Sequence, residues 1–565
     1  MRWTFFRLGL FVFSLLATSL TLAQNAPAFD EIRDARGEIR PHYRQIWPLF
    51  EGLSSARRAR FRRESLEDFR GDNALSPLPR VLTAAEYDEL KRGVEQRGVA
   101  LRKFLEDHYS GQKTYLGTVI PEEIMRRILR RTGEDLYEGQ VDPKRIFFPY
   151  GPDIIRDADG TWRVLEDNPG FIGGPGDLVQ ARESLLSRFP EISGALTDVD
   201  DPDAYYRGIA QLYRDEADPR GGRVVVFQVP PYADKEDVRL RTLYKNQGLE
   251  VVTPNTKSRI VSTSEGLFLE TPAANDSGSL LRKRIGMLIM NGEHHWMDAG
   301  DPATHRRALL LEVDRHLAED ELSPGARAGL EAALQENDGS GYPSVATLQN
   351  ALGKSEFLNE VSALKHRRIP DLIKHWREGK VQLSYTPGVD FIGDKEFNIY
   401  VEQLIRHYLK EEPILRNVET LRLAKGALPG EVARVDEKAL RRVMEDRNNY
   451  VIKRVDGRGG DGIWVGPKIS EKQWREAEAA VRAAPDRYLA QRYTPLSVLD
   501  DMIVDLRMIS VVSPKGVFVS PTPWARGIPQ AGDGKVNLSK AGVEVPVVVL
   551  QSPATACRRA LGRLL

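Results

Sequence analysis

Residues 153–168 read Asp-Ile-Ile-Arg-Asp-Ala-Asp-Gly-Thr-Trp-Arg-Val-Leu-Glu-Asp-Asn. Asp159-Gly160 between two β-prone runs predicts a tight hairpin. A two-residue turn there pairs 158 with 161 and sets Asp153 opposite Glu166. Glu166 and Asn168 stand two apart and share a face if the strand continues. Three oxygen donors, Asp153, Glu166 and Asn168, then converge. A hard cation such as Mg²⁺ takes such donors, completed by water and phosphate. The plainer alternative is the polar outer face of an ordinary hairpin. Asn168-Pro169-Gly170 leads on into Gly173-Gly-Pro-Gly176, a glycine-dense turn where backbone can approach a ligand closely.

A second stretch, residues 450–466, reads Tyr-Val-Ile-Lys-Arg-Val-Asp-Gly-Arg-Gly-Gly-Asp-Gly-Ile-Trp-Val-Gly. Its glycines, Gly457, Gly459, Gly460 and Gly462, include the spacing of a dinucleotide fingerprint, but that fingerprint needs a helix to follow. Here Ile463-Trp-Val465 reads as a strand, so the loop is a flap between strands, suited to cover phosphates. No kinase His-Arg-Asp or Asp-Phe-Gly motif and no Walker lysine accompanies it. Lys453 lies inside the preceding strand, among Val451, Ile452 and Val455. A lysine there is costly unless it meets an anion such as phosphate; a wet strand face is the alternative. Downstream, Tyr488-Leu-Ala-Gln-Arg-Tyr-Thr-Pro495 reads as a strand ending in a hinge. Its backbone suits an adenine edge, with Gln491 close by. Arg507, in the strand Val504–Val512, suits a fixed phosphate contact. Arg526 and Asn537 follow at the ends of short segments.

Outward from these stretches, the 565 residues imply two to four packed units. Lys plus Arg equals Asp plus Glu at 81 each, so no global field argues for nucleic acid. Cys557 is the single cysteine. That excludes a disulfide within the chain and a cysteine-based zinc site. A basic start, an apolar run from Leu8 to Leu22 and Ala23 predict a signal peptide over 1–23. The expected location is therefore exported, periplasmic or secreted. An uncleaved membrane anchor, or a cytoplasmic protein with a mis-assigned start, is the alternative. No later stretch is apolar enough to span a bilayer. Residues 24–145 read as a helical region, with Leu90, Val94, Leu101, Phe104 and Leu105 at helical spacing. Residues 146–200 hold the acidic hairpin. A helix–strand rhythm over 201–350 predicts a parallel α/β subdomain, with strands Arg223–Phe227 and Glu250–Thr253 around a helix Glu236–Gln247. The lysine and glycine-loop segment occupies 351–553, and 554–565 is a basic tail.

These pieces resemble the ATP-grasp superfamily. Glu166-Asp-Asn-Pro-Gly170 resembles the magnesium region of D-alanine–D-alanine ligases, and Asp153 matches that family's other magnesium carboxylate. Lys453 and its glycine loop are similar to the ATP-grasp lysine strand and flap. In ordinary members the lysine comes first and the magnesium ligands last. The reversed order here resembles the circularly permuted ATP-grasp proteins, type 2, whose topology is shared with glutathionylspermidine synthetase. Asp30-Glu-Ile-Arg33, Arg40-Pro-His-Tyr-Arg44, Leu75-Ser-Pro-Leu-Pro79, Trp376-Arg-Glu-Gly379, Pro387-Gly388 and His407 to Leu415 extend the likeness over most of the chain. Asp394-Lys395 matches the pair that supplies the first nucleotide lysine, which carries Lys395 over. Gly173-Gly-Pro-Gly176 departs from the relatives' Pro-Ser-Gly, and Asn537-Leu-Ser-Lys-Ala-Gly542 from their richer terminal Asn region.

The resemblance implies an α/β (α+β) ATP-grasp fold, circularly permuted. It implies ATP and Mg²⁺ as cofactors and small-molecule or peptide carboxylate and amine substrates. The reaction it implies is ADP-forming ligation through an acylphosphate. Arg507, Arg526 and Asn537 would face the reacting groups, and Lys395, Lys453, the loop glycines and Gln491 the nucleotide. Two rivals stand beside it. One is a non-catalytic exported nucleotide- or peptide-binding protein on the same fold. The other is a metal-dependent hydrolase built on Glu293-His-His295 and His305, whose spacing is not that of a zinc helix.

Overall fold

The computed structural model describes residues 28–551 apart from 69–73, 134–136, 171, 196–198, 219, 221, 228–234, 253–257, 274–278, 291–368, 370, 427–432, 456–461, 533 and 537–541. The expected leader at 1–23, the tail from 554, Gly457, Gly459, Gly460, Asn537, Glu293, His294, His295 and His305 lie outside the described residues.

Thr83 and Glu86 form a reciprocal capping box, and a helix runs from Ala84 to Ser110. Its apolar stripe, Leu90, Val94, Leu101, Phe104 and Leu105, is fully buried. Each such side chain contributes about 1.5–3 kcal/mol relative to an exposed position. The stripe packs into the core shared with a large mixed sheet. That sheet runs in the order Ala74–Leu75, Val543–Val545, Trp524–Pro529, Met502–Arg507, Asp153–Arg156, Trp162–Glu166, Arg416–Asn417, with Val498–Leu499 beside Met502–Arg507. Strands from early and late in the chain are interleaved within it, so neither half forms the sheet alone.

Thr420–Arg422, Tyr488–Arg492, Tyr450–Arg454 and Ile463–Val465 make a separate antiparallel sheet. Helices Glu437–Glu445 and Glu471–Ala483 cover it, burying Leu440, Val443, Ile452, Trp474, Val481 and Ala490 in a core of its own.

A third sheet differs in part from the expected all-parallel subdomain. Glu250–Val252, Arg223–Phe227, Leu280–Met290 and Gln382–Leu383 pair in parallel. Gly266–Pro272 and Arg259–Thr263 extend it antiparallel. The link between those two strands, Ser264-Glu265, is long enough only for a hairpin, whereas a parallel return needs a crossover of a dozen residues or more. The helix preceding Glu250–Val252 spans Lys235–Asn246. Among the described residues no helix is long and apolar enough to cross a membrane.

Candidate functional site

The acidic hairpin reaches its register by a route the sequence did not predict. Asp157 N donates to Thr161 O at 2.8 Å, so the loop holds three residues, Ala158-Asp159-Gly160, with Gly160 at φ +87°. Arg156 therefore faces Trp162, and Ile154 faces Val164. A bulge at Leu165 then absorbs one residue and places Asp153 opposite Glu166. The bulge turns Glu166 onto the face of Asp153, away from that of Val164. The strand ends at Glu166, yet Gly151 N still donates to Asn168 O at 2.8 Å, in the same register. Asn168 Nδ2 donates to Gly151 O at 3.1 Å, which leaves its amide oxygen to offer a cation.

Asp167, between the two, faces the opposite way. It is fully buried and accepts two bonds from Arg97 (3.1 and 2.6 Å), one from Tyr150 Oη and one from Asn398 Nδ2 at 2.6 Å. Arg97 belongs to the long N-terminal helix. That helix therefore clamps the strand end whose flanking residues are Glu166 and Asn168.

Across the large sheet, Arg507 pairs with Asp153 on one side and with Trp524 on the other. Asp505 pairs with Arg526, and Arg526 with Glu544. Paired residues and residues two apart share a face, so one face carries Glu166, Asp153, Arg507, Trp524, Asp505, Arg526 and Glu544. Arg507 donates to both oxygens of Asp153 (2.7 and 3.0 Å), and Arg526 Nη2 donates to Asp153 Oδ2 at 3.0 Å and Asp505 Oδ2 at 2.6 Å. All four ionic groups are buried or nearly so. Burial opposes the charge on Asp153, but the two guanidiniums outweigh it and hold the carboxyl well below the usual carboxylate range. Burial pushes the Asp505 carboxyl up, and the nearby Asp153 charge adds to that.

The lysines approach from the other side. Lys395 Nζ lies 3.3 Å from Glu166 Oε2. Asp394, just before it, caps the helix Lys395–Asn398 and is gripped by Arg131 through two 2.8 Å bonds. Lys453 Nζ donates to Gln491 Oε1 at 2.6 Å. Burial pushes the Lys453 ammonium below the ordinary lysine range; Glu166 pulls it up and Lys395 pushes it down. Gln491 Nε2 donates to Leu165 O and Thr420 Oγ1, both at 3.1 Å. One amide thus ties the lysine strand to the carbonyl that the bulge at Leu165 releases. Gln491 is occupied in this link, where the sequence suggested proximity to adenine.

The structure therefore brings Asp153, Glu166, Asn168, Lys395, Lys453, Gln491, Arg507 and Arg526 around one place. Gly462, at φ +63°, closes the flap strand against Arg454. Arg526 lies mid-strand, not at a segment end. Among the described residues no group of three or more His, Cys, Asp or Glu side chains is arranged to hold a metal. The oxygen donors at hand are mixed: the Glu166 carboxylate, the Asn168 amide and Asp153, whose oxygens already accept from two arginines. Glu166 and Asn168 fit a hard cation, and Asp153 fits one through the lone pairs its arginines leave. Sequence reasoning passed over Asp167, Asp505 and Trp524. Two of them carried a signal: Asp505 stands two residues before Arg507, and Trp524 two before Arg526, each on its arginine's face.

A sequence profile described as circularly permuted ATP-grasp type 2 matches residues 79–254 and 355–526, more than half of the chain. An uncharacterized protein of Mycobacterium leprae is 26% identical over 562 residues, covering 95% of this chain and 84% of its own. A Frankia alni protein whose name proposes a glutamate–cysteine ligase is 26% identical over 93% of this chain and 54% of its own. A solved structure of a glutathione synthetase-like effector from Globodera pallida, in its apo form, covers 83% of this chain and 89% of its own at 9% identity and a TM-score of 0.44.

Proposed function

Because this chain belongs to the circularly permuted ATP-grasp type 2 family, we propose that it is an ATP- and Mg²⁺-dependent carboxylate–amine ligase. The observation that carries the reading is the meeting of distant segments. Glu166 from the acidic hairpin, Lys395 from the central stretch and Lys453 from the flap sheet surround the same face as Arg507 and Arg526. Such a mixture of fixed carboxylate, amide and cationic groups suits a nucleotide triphosphate with its cation.

In the proposed reaction a substrate carboxylate oxygen attacks the γ-phosphorus, ADP departs, and an acylphosphate forms. The amine nitrogen then attacks the acyl carbon, losing a proton, and phosphate leaves. No enzyme nucleophile is required, so catalysis is positioning and charge neutralisation. Glu166, Asn168 and Asp153 would hold Mg²⁺, which when bound offsets phosphate charge. Lys395 and Lys453 would offset the rest, and Arg507 and Arg526 would steady the transferring group. The glycine loop after Lys453 would exclude water, which otherwise hydrolyses the acylphosphate. The compartment is a proposal of the same standing. The leader at 1–23 implies export, and N-terminal sequencing of the native protein tests it, with Gln24 as the expected first residue.

The alternative, a nucleotide- or peptide-binding protein without turnover, is favoured by one feature: both oxygens of Asp153 are already engaged by arginines. ADP release from purified protein with pooled carboxylates and amines separates the two. Binding of ATP without ADP release supports the alternative, and no thermal shift with MgATP removes the ligase reading and leaves only peptide binding. Glu166→Ala should lower Mg²⁺-dependent ATP binding about 100-fold or more, at or beyond the loss typical for a metal site's supporting groups, with an unchanged melting profile. Wild-type-like binding would remove Glu166 from the metal site.

A further inference from the structure

The guanidiniums of Arg507 and Arg526 share more than their carboxylate partners. Trp524, 4% exposed, is the cross-strand partner of Arg507 and stands two residues before Arg526. The two guanidinium carbons lie 5.4 and 5.1 Å from its ring centroid. The indole Nε1 donates to Glu544, itself fully buried on the next strand. The ring also supports the glycine turn. Gly174 has φ +107°, and a Cβ there would come within 2.4 Å of a ring carbon. The neighbouring Gly173 O accepts from Arg507 Nη1 at 3.3 Å. Arg526 Nη1 has no partner among the described residues.

We infer that Trp524 is a positioning residue: a buried aromatic platform that fixes both arginines, and the glycine turn beside them, for contact with phosphate. A guanidinium carries about 2 kcal/mol of rotamer entropy, which phosphate would otherwise have to freeze out. An indole face restrains it beforehand by cation–π attraction and stacking. The Nε1 bond to Glu544 fixes the ring in turn. Two arginines, the turn and the neighbouring strand Val543–Val545 are thereby made one rigid unit. The inference rests on the proposed ATP site.

The test compares binding of MgATP and of adenosine, which lacks the phosphates, by calorimetry. The proteins are full-length wild type, Trp524→Leu and Trp524→Phe. Loss of the aromatic face in Trp524→Leu should weaken MgATP about tenfold or more, as desolvated cation–π contacts predict, with adenosine unchanged. Trp524→Phe keeps a ring and should recover most of that loss. If Trp524→Leu does not fold, Trp524→Met fills the space without a ring and replaces it. Equal MgATP affinity in wild type and ringless variant overturns the inference alone. So does a parallel loss of MgATP and adenosine affinity, which marks a merely structural residue. Wild type that binds no MgATP overturns the ATP reading and this inference with it.

Discussion

Lys453 holds its ammonium against the amide oxygen of Gln491, in a place where burial disfavours its charge. Its protonated form is the one that attracts phosphate. The charge is complete below the lowered pKa and is lost as pH rises through it. That window lies below the ordinary lysine value of about 10.4. MgATP affinity measured by calorimetry should therefore fall with rising pH earlier than an ordinary lysine would dictate. Lys453→Arg, charged throughout, should flatten the profile. A wild-type affinity that stays constant up to the ordinary lysine range would contradict this assignment. The sequence marked the lysine because a cation among Val451, Ile452 and Val455 is costly unless it meets an anion. Its amide partner was not, because strand pairing brings Gln491 to it from 38 positions away.

At the scale of the element, the acidic hairpin shows how one extra residue can be useful. A three-residue loop alone would set Ile154 and Val164 in register and leave Glu166 on the wrong face. The bulge at Leu165 corrects the face and frees a backbone carbonyl, which Gln491 takes. Gln491 thus makes three hydrogen bonds that join two sheets. Gln491→Leu would strand a half-buried ammonium and a carbonyl. The expected loss is about 2–6 kcal/mol, at about 1–3 kcal/mol for each unsatisfied group. Urea denaturation measures it, and a loss below about 1 kcal/mol would show that the sheets are joined by other means. The two acidic positions were legible from the Asp-Gly turn and strand alternation. The loop length and the bulge compensate each other, so the pairing of Asp153 with Glu166 was foreseen although the turn was not.

For the molecule as a whole, the large sheet interleaves strands from both ends of the chain, so Arg507 meets Asp153 across 354 positions. The N-terminal helix enters the site through Arg97 and Asp167, both fully buried. Removing one partner of such a pair leaves a buried charge uncompensated, at a cost of about 3–5 kcal/mol. Asp167→Ala should lose that much in chemical denaturation. It should also weaken MgATP binding, because the displaced strand end carries Glu166 and Asn168. Full MgATP affinity in this variant would mean that the helix does not hold the site.

By itself the sequence determined the local chemistry: a hairpin with acidic and amide side chains, a lysine strand paired with the strand that follows its glycine-rich stretch, and the order in which they occur. Spacing along one or two strands carries that information, because alternation and turn preferences act over a few residues. Only the tertiary structure decided which neighbours each of these groups has. Asp153, read from the sequence as an oxygen donor, became the partner of two arginines. Asp167 turned inward to the long helix, and Trp524 came to lie against two guanidiniums and a glycine turn. These relations depend on sheet pairing between segments hundreds of residues apart. No local preference encodes such pairing, and burial of the shared core imposes it.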